Sequence, residues 1–467
     1  MIHRTYYIAA ALLGLVLLLP WLLASDIAVD GAVNASIARN MAEGIGSLWQ
    51  PLESATSQTA FTQHPPLAFG LEALFFLVLG DAWYVERVYS LFMALLTCWA
   101  LIELWNTFHN ERHQRRMVWL PVVFWITVPV VFWSYRNNMV DATLAMFTTF
   151  ATVFMLRACV LQAAEFFVLG VIFTLAAFFT KGITGLFPLV IPMFYGLHDY
   201  RHGLIKGTVQ TVAITLLLGG FVLGISLLIP SAGQNILHYL NAEVLTSWRG
   251  LNANTVGNRM MLCVDLLKQL LPALMCLSAV AMVRNQTRRA SVEARRTTRF
   301  FVVLPLVAAL PLVLLSKQPV QALLPAMPLF AMAFAMSVLS LVQQSMEDNA
   351  FTWRNMGFAF NTIAAATLVT LCLVTYNHPT HYRTLLSDTE QINAGVGNCK
   401  VVSCDWSTAD DYKLSAYLQR RHGISLVGGT AYEYLLMKKT ASLNPPEGYA
   451  VQLVPLNNYV LYRKADR

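Results

Sequence analysis

The chain has 467 residues, 57% of them hydrophobic and 12% charged, with a formal net charge of +7. A water-soluble domain carries roughly twice that share of charge, so lipid is the main solvent of this protein. Its cations sit in loops between apolar runs, without aromatic–basic interleaving, which excludes a nucleic-acid-binding protein and reports membrane topology instead.

A helix crosses the hydrocarbon layer with ~20 apolar residues. The first such run, residues 6–24, follows Arg4 and ends in Leu23-Ala24-Ser25. That outline also fits a signal peptide, but the run is long enough to span and is read as a retained first helix. A polar first outer loop, residues 26–66, follows. It holds a helix-like stretch over 32–43, preceded by Asp30 and ended by Gly44. Residues 67–80 hold a largely apolar run of only ~13 residues, which suits a re-entrant or interfacial segment. Further runs lie at 84–105, 117–133, 139–155, 166–180, 185–197, 209–229, 260–283, 300–315, 320–341 and 356–374, for about eleven spans.

Loop charge orients these spans. Arg112, Arg115 and Arg116, then Arg201 and Lys206, then the six arginines between Arg284 and Arg299 fall on the side of the amino terminus if 67–80 does not span. The positive-inside rule makes that face cytoplasmic. The first outer loop, the turns at Lys181 and Lys317, and the carboxy-terminal tail then share the opposite face. The expected organisation is an all-α membrane domain over 1–375 and a small extracytoplasmic α/β domain over 376–467. In this tail the pattern predicts strands at 400–403, 424–427, 449–454 and 459–462, and helices at 410–421 and 431–437. Cys399 and Cys404 could pair if the tail is exported. The other five cysteines lie in apolar runs as small hydrophobes.

Ionisable groups at membrane depth tend to mark function. On the outer face they are few: Asp26, Asp30, Arg39, Glu43, His64, Arg136, Asp141, Lys181 and Lys317. Carboxylates beside separate cations suit one task, in which the cations hold a phosphate and a carboxylate takes a proton from a hydroxyl. Plainer readings exist for each. Asp30 could cap a helix, Arg136 could neutralise Asp141, Lys181 and Lys317 could snorkel, and His64 could be a loop histidine before Pro65-Pro66. The pairs His109/His113 and His198/His202 have helical metal-ligand spacing but lie in basic loops with nothing to complete a site. They read as solvated, and no metal or other cofactor is required.

Read in order, the segments resemble the membrane glycosyltransferases of the protein O-mannosyltransferase and lipid A aminoarabinose transferase type, which have the GT-C fold. The resemblance rests on Asp30-Gly31 through Glu43-Gly44, on His64-Pro65-Pro66-Leu67, on Arg87 opening a long helix, on Tyr135-Arg136 through Asp141, on Lys181-Gly182 through Gly185, and on Ser316-Lys317 before Pro325 and Pro328. It covers the membrane part. Gly31, His64 and Gln321 stand where the aminoarabinose transferases often have Glu, Lys and Tyr, so the acceptor is left open.

The resemblance implies a polyprenyl-phosphate-sugar donor and an acceptor hydroxyl on a lipid, glycan or protein. A hexosyl or pentosyl group moves with inversion at the outer face of a bacterial inner membrane. It implies Asp30 as general base with Asp141 in support, and Lys181, Arg136, Lys317, His64 and Arg87 around the donor phosphate. The rival class is a transporter or lipid flippase, which would place its charges near the bilayer midplane on broken, repeated helices. A third is an assembly subunit whose charges only pair with each other.

Overall fold

A computed structural model describes residues 2–199, 201–245, 260–282, 292–314, 319–439 and 446–465. The chain forms two compact units. One comprises Met1–Leu22, Thr62–Ala68 and Ser90–Leu373; the other comprises Leu23–Phe61, Phe69–Tyr89 and Val374–Arg467.

In the first unit, eight helices among the described residues are long and apolar enough to cross a membrane. A ninth span results if the bent pair Arg112–Ile126 and Pro129–Arg136, which meet at 76°, counts as one. The break has a simple cause. Pro129 has no N–H to donate, and it pushes Val128 into an extended conformation, so one helix stops and another starts.

These helices answer to all but two of the expected runs. Residues 185–197 form 3-10 turns around Pro188 and then the short helix Ile191–His198. Residues 300–315 fall mostly in Val292–Leu314, whose opening turns carry Arg295, Arg296 and Arg299. The thirteen-residue helix Leu67–Leu79 is as short as expected.

The span Val140–Leu161 is largely enclosed by its neighbours. Its hydroxyls are satisfied locally: Thr148, Thr149 and Thr152 donate to carbonyls one turn back at 2.9, 2.6 and 2.8 Å. In a water-free interior each would otherwise be an uncompensated polar group. Arg157 near the end of this helix pairs with Glu103.

The second unit is built on a five-stranded mixed sheet. Label its strands β1 (Val401–Cys404), β2 (Ser425–Gly428), β3 (Tyr434–Lys438), β4 (Tyr449–Val451) and β5 (Tyr459–Lys464); their order is β2-β1-β3-β5-β4. β1 is parallel to β2 and β3, and β5 is antiparallel to β3 and β4. The core gathers Ile392, Val396, Val402, Leu414, Leu418, Leu436 and Leu461. Helices α1 (Arg383–Val396) and α2 (Tyr412–His422) supply Ile392, Val396, Leu414 and Leu418 to it.

The helix expected over 431–437 is strand β3. It is paired on both sides, Ser403 to Leu435 and Leu436 to Leu461, and this pairing overrides a local sequence that suits either state. The disulfide is also absent. Cys399 donates to the Val401 carbonyl at 3.0 Å, Cys404 is fully buried in β1, and both are free thiols.

The first outer loop, expected as part of the 1–375 domain, instead groups with the tail. Charged and polar anchors explain why. Asp26 accepts from the Thr380 amide and hydroxyl at 2.9 and 2.8 Å, and from the His381 and Tyr382 amides at 2.6 and 3.0 Å. Those amides lie just before the first turn of α1, so Asp26 pins the approach to that helix from far along the chain. At the other end, the loop helix Val29–Ala42 sends Arg39 to the carbonyls of Gln419 and Arg420 at 2.7 and 3.3 Å, capping the last turn of α2. Arg420 pairs in turn with Asp81 and Glu86, each at 2.7 Å.

Burial alone would raise the Asp26 carboxyl, but its donors from Thr380, His381 and Tyr382 outweigh burial and hold it below the usual carboxylate range. Asp26→Ala leaves three partly buried amides without this acceptor, and we expect a loss of about 1–3 kcal/mol at neutral pH. Because the folded-state value is depressed, the contribution is complete above pH ~4 and fades as pH falls through the folded value. Thermal unfolding of the full chain in detergent, run as a pH series, reads both. The wild type should lose its advantage over the variant only on the acid side.

Candidate functional site

In the membrane unit the central feature is an ion pair. The Lys181 ammonium donates to both oxygens of Asp141, each at 2.7 Å, and both side chains are almost fully buried. Asp141 sits in the first turn of its span, where the helix N-terminus favours a carboxylate. Asn138, just before it, adopts a left-handed φ of 52°, which turns the chain into that helix. Lys181 ends the span Ala164–Lys181, where a cation suits the helix C-terminus. Pairing with Arg136, the plainer expectation for Asp141, does not occur.

The glycines of Lys181-Gly182-x-x-Gly185 have steric reasons. Gly182 has φ +64°, and a Cβ there would lie 2.1 Å from the Tyr239 hydroxyl. A Cβ on Gly185 would lie 2.7 Å from the Ala177 backbone. The Tyr239 hydroxyl donates to the Lys181 carbonyl at 3.3 Å, and the Thr184 hydroxyl donates to the same carbonyl at 2.9 Å. The lysine backbone is thus held from both sides. Tyr239 could have been suspected only from the need for a glycine at 182, since nothing in its own segment marks it.

Arg136 lies over the rings of Trp21 and Phe132, 4.6 and 5.7 Å from their centroids. A half-buried guanidinium on aromatic faces keeps its N–H edge free to meet an anion. The preceding Tyr135 is fixed by its hydroxyl bond to Thr97 at 2.8 Å and by Ser90 donating to its carbonyl.

His64 is half-buried in its Pro-Pro turn. Burial, and then the charge on Lys181, push its pKa down to about 3, against a smaller opposing effect from its hydrogen bond to the Gln63 backbone. It is a neutral imidazole at physiological pH. As a phosphate partner it can donate an N–H but does not add a charge. Lys317 lies outside the described residues.

The second unit holds Asp30 and Arg87. Asp30 does not cap its helix. The helix starts one residue earlier with Ala28 at the N-cap, which leaves Asp30 exposed in the first turn, with no hydrogen bond or ion pair to described residues. It is an uncommitted carboxylate among the described residues of the loop, in contrast to Asp26. Arg87 is the opposite case. It is buried against Glu86 at 2.7 Å, the Ala24 carbonyl at 3.1 Å and the Trp83 carbonyl, and it braces the loop.

Two residues not singled out in the sequence share the surroundings of Asp30. Glu53 and Tyr412 line a cavity of about 40 Å³ together with Val33, Ser36, Ser54, Ser415, Ala416 and Gln419. Burial raises the Glu53 carboxyl, and burial and then the charges of Glu53 and Asp30 raise the Tyr412 phenol. Tyr412 was hidden because the tail carries no motif.

The four histidines also need correction in part. His109 is buried, bonded to the Trp105 carbonyl at 2.9 Å and stacked on that indole. His202 is buried between Gln162 and Gln210 at 3.1 and 2.8 Å. Both are satisfied interior histidines rather than solvated ones, because the loops fold back onto the helix ends.

Neither a family model nor a curated protein sequence matches the chain. Solved structures do match its fold. ArnT from Cupriavidus metallidurans bound to undecaprenyl phosphate aligns with a TM-score of 0.64 at 13% identity over 97% of each chain. The same protein in the apo state gives 0.65 at 13% identity over 96% of this chain and 95% of that one. The archaeal oligosaccharyltransferase AglB from Archaeoglobus fulgidus, in complex with an inhibitory peptide and a dolichol-phosphate, gives 0.52 at 12% identity over 93% of this chain and 69% of that one.

The protein is a polytopic membrane protein with the GT-C fold. That is the fold of these membrane glycosyltransferases, and here it carries a small carboxy-terminal sheet.

Proposed function

We propose that the chain is a glycosyltransferase that moves a sugar from a polyprenyl-phosphate-linked donor to a hydroxyl acceptor. Fold by itself does not fix chemistry. The observation that carries the reading is the buried Lys181–Asp141 pair. A lysine held dry at the end of a span, by a single carboxylate it can exchange for a phosphate, is equipped to receive an anionic lipid headgroup. ArnT, with the same fold, has been solved with undecaprenyl phosphate bound.

In this reading Lys181 and Arg136 hold the donor phosphate, His64 adds a neutral N–H, and Lys317 adds a second lysine. Arg87 acts by bracing the loop that presents Asp30. The acceptor O–H gives its proton to the Asp30 carboxylate as its oxygen bonds to the sugar carbon. The bond from that carbon to the phosphate oxygen breaks, and its electron pair stays on the lipid phosphate. Attack opposite the leaving group inverts the sugar carbon. Asp141, once released from Lys181, is available to orient the acceptor. The reading places this chemistry on the extracytoplasmic side of a bacterial inner membrane, with the amino terminus cytoplasmic and the sheet domain periplasmic.

The test is transfer by the purified full chain in proteoliposomes, using undecaprenyl-phosphate-linked radiolabelled sugars and a cell-envelope extract as acceptor. The expected result is label in a new glycosidic product and release of undecaprenyl phosphate. Movement of intact donor across the bilayer without cleavage would identify a flippase instead.

A further inference from the structure

Asp30, Glu53 and Tyr412 differ from the charged residues around them. Asp26, Arg39, Arg87 and Arg420 are each spent on several protein partners. By contrast, the side chains of Asp30 and Glu53 and the hydroxyl of Tyr412 have no hydrogen-bond partner among the described residues.

Glu53 and Tyr412 line one cavity, and Asp30, outside that lining, lies one turn from Val33 in its wall and near enough for its charge to raise the Tyr412 phenol. Asp30, Val33 and Ser36 follow one another at three-residue spacing, along one face of the helix Val29–Ala42. Val33 and Ser36 form one wall of the 40 Å³ cavity, and Glu53, Ser54, Tyr412 and Ser415 form others. Such a space holds roughly two or three waters. It is lined with hydroxyls and one carboxylate, so it suits a hydroxyl or hydroxymethyl group and is too small for a sugar ring.

We propose that this cavity receives the acceptor's alcohol group, and that Tyr412 and Glu53 are positioning residues holding that oxygen beside Asp30. The proposal rests on the reading of Asp30 as general base. Tyr412 donates its hydroxyl proton to a lone pair on the acceptor oxygen, which leaves the acceptor's own proton for Asp30. Glu53 accepts from a neighbouring hydroxyl of the acceptor. The acceptor is therefore an alcohol on a narrow arm with a second hydroxyl nearby, such as a glycan or glycolipid end group. The tail thus contributes to substrate choice as well as to packing.

The experiment uses the full chain in proteoliposomes, with undecaprenyl-phosphate-linked radiolabelled sugar as donor and a graded cell-envelope extract as acceptor. Tyr412→Phe, which keeps the ring and its packing, and Glu53→Gln are compared with wild type. Losing one such hydrogen bond should raise the half-saturating amount of extract ~3–10-fold. The half-saturating donor concentration and the rate at saturating acceptor should stay within about twofold. A purely structural role would lower protein yield or move donor and acceptor constants together. Unchanged acceptor dependence in both variants, with active wild type, overturns this proposal and leaves the glycosyltransferase reading standing. Absence of transfer by wild type from any lipid-linked sugar removes that reading and this proposal with it.

Discussion

Asp30→Asn should insert and fold like wild type and lose transfer by ~10²–10⁴-fold, the usual worth of a general base. Folding is spared because Asp30 is exposed and makes no bond to described residues. The substitution removes only a favourable charge at a helix start, a loss of about 0.3–1 kcal/mol. Activity is not spared, because an amide cannot take a proton from an alcohol at neutral pH. The measurement is the initial transfer rate with purified donor, beside the melting temperature of the same preparation. Wild-type activity in the variant would remove Asp30 from the mechanism. A fall in melting temperature of the size expected for Asp26→Ala would recast it as structural.

The second large effect concerns Lys181 and Asp141. Breaking a buried pair from one side leaves a charge without a counterion, which costs ~3–5 kcal/mol. Lys181→Met and Asp141→Asn should each sharply reduce the yield and melting temperature of detergent-solubilised protein. The double variant Lys181→Met with Asp141→Asn leaves no orphan charge and should regain most of that stability. It should not regain transfer or binding of undecaprenyl phosphate. Recovery of folding without recovery of function separates a working pair from a packing pair. If the double variant transfers sugar as wild type does, the phosphate has another holder.

Much of the membrane part is legible in sequence because lipid leaves little choice. A run of ~20 apolar residues can only be a helix there, and a run of ~13 cannot cross. The 185–197 run misleads because Pro188 and Pro192 shorten its helix, which apolarity alone does not register. In the tail, the strands at Val401–Cys404 and Tyr459–Lys464 follow their local pattern. Tyr434–Lys438 does not, because Ser403, 32 residues before its partner Leu435, and Leu461, 25 residues after its partner Leu436, decide it. The helix Arg383–Val396 goes unread for lack of a local capping side chain, and the residue that pins its approach, Asp26, is far away in sequence.

The candidate site divides in the same way. Scarcity marked Asp30, Asp141 and Lys181, since polar residues are rare in such a chain. Scarcity could not tell that Arg136 rests on Trp21 rather than pairing with Asp141, nor that Asp26 is spent on amides while Asp30 is free. Glu53 and Tyr412 lie in polar stretches, where one more polar residue carries no signal.

The grouping of Leu23–Phe61 with Val374–Arg467 also sets a timetable for synthesis. The loop leaves the ribosome early, and its partner follows about 310 residues later, roughly 15–60 s at ~5–20 residues per second. Throughout that interval Asp26 has no amides to accept from and Arg39 has no carbonyls to meet. A chain that stalls or is cut before the tail is made would display an orphaned loop, open to proteases and chaperones, and only the completed polypeptide can hide it.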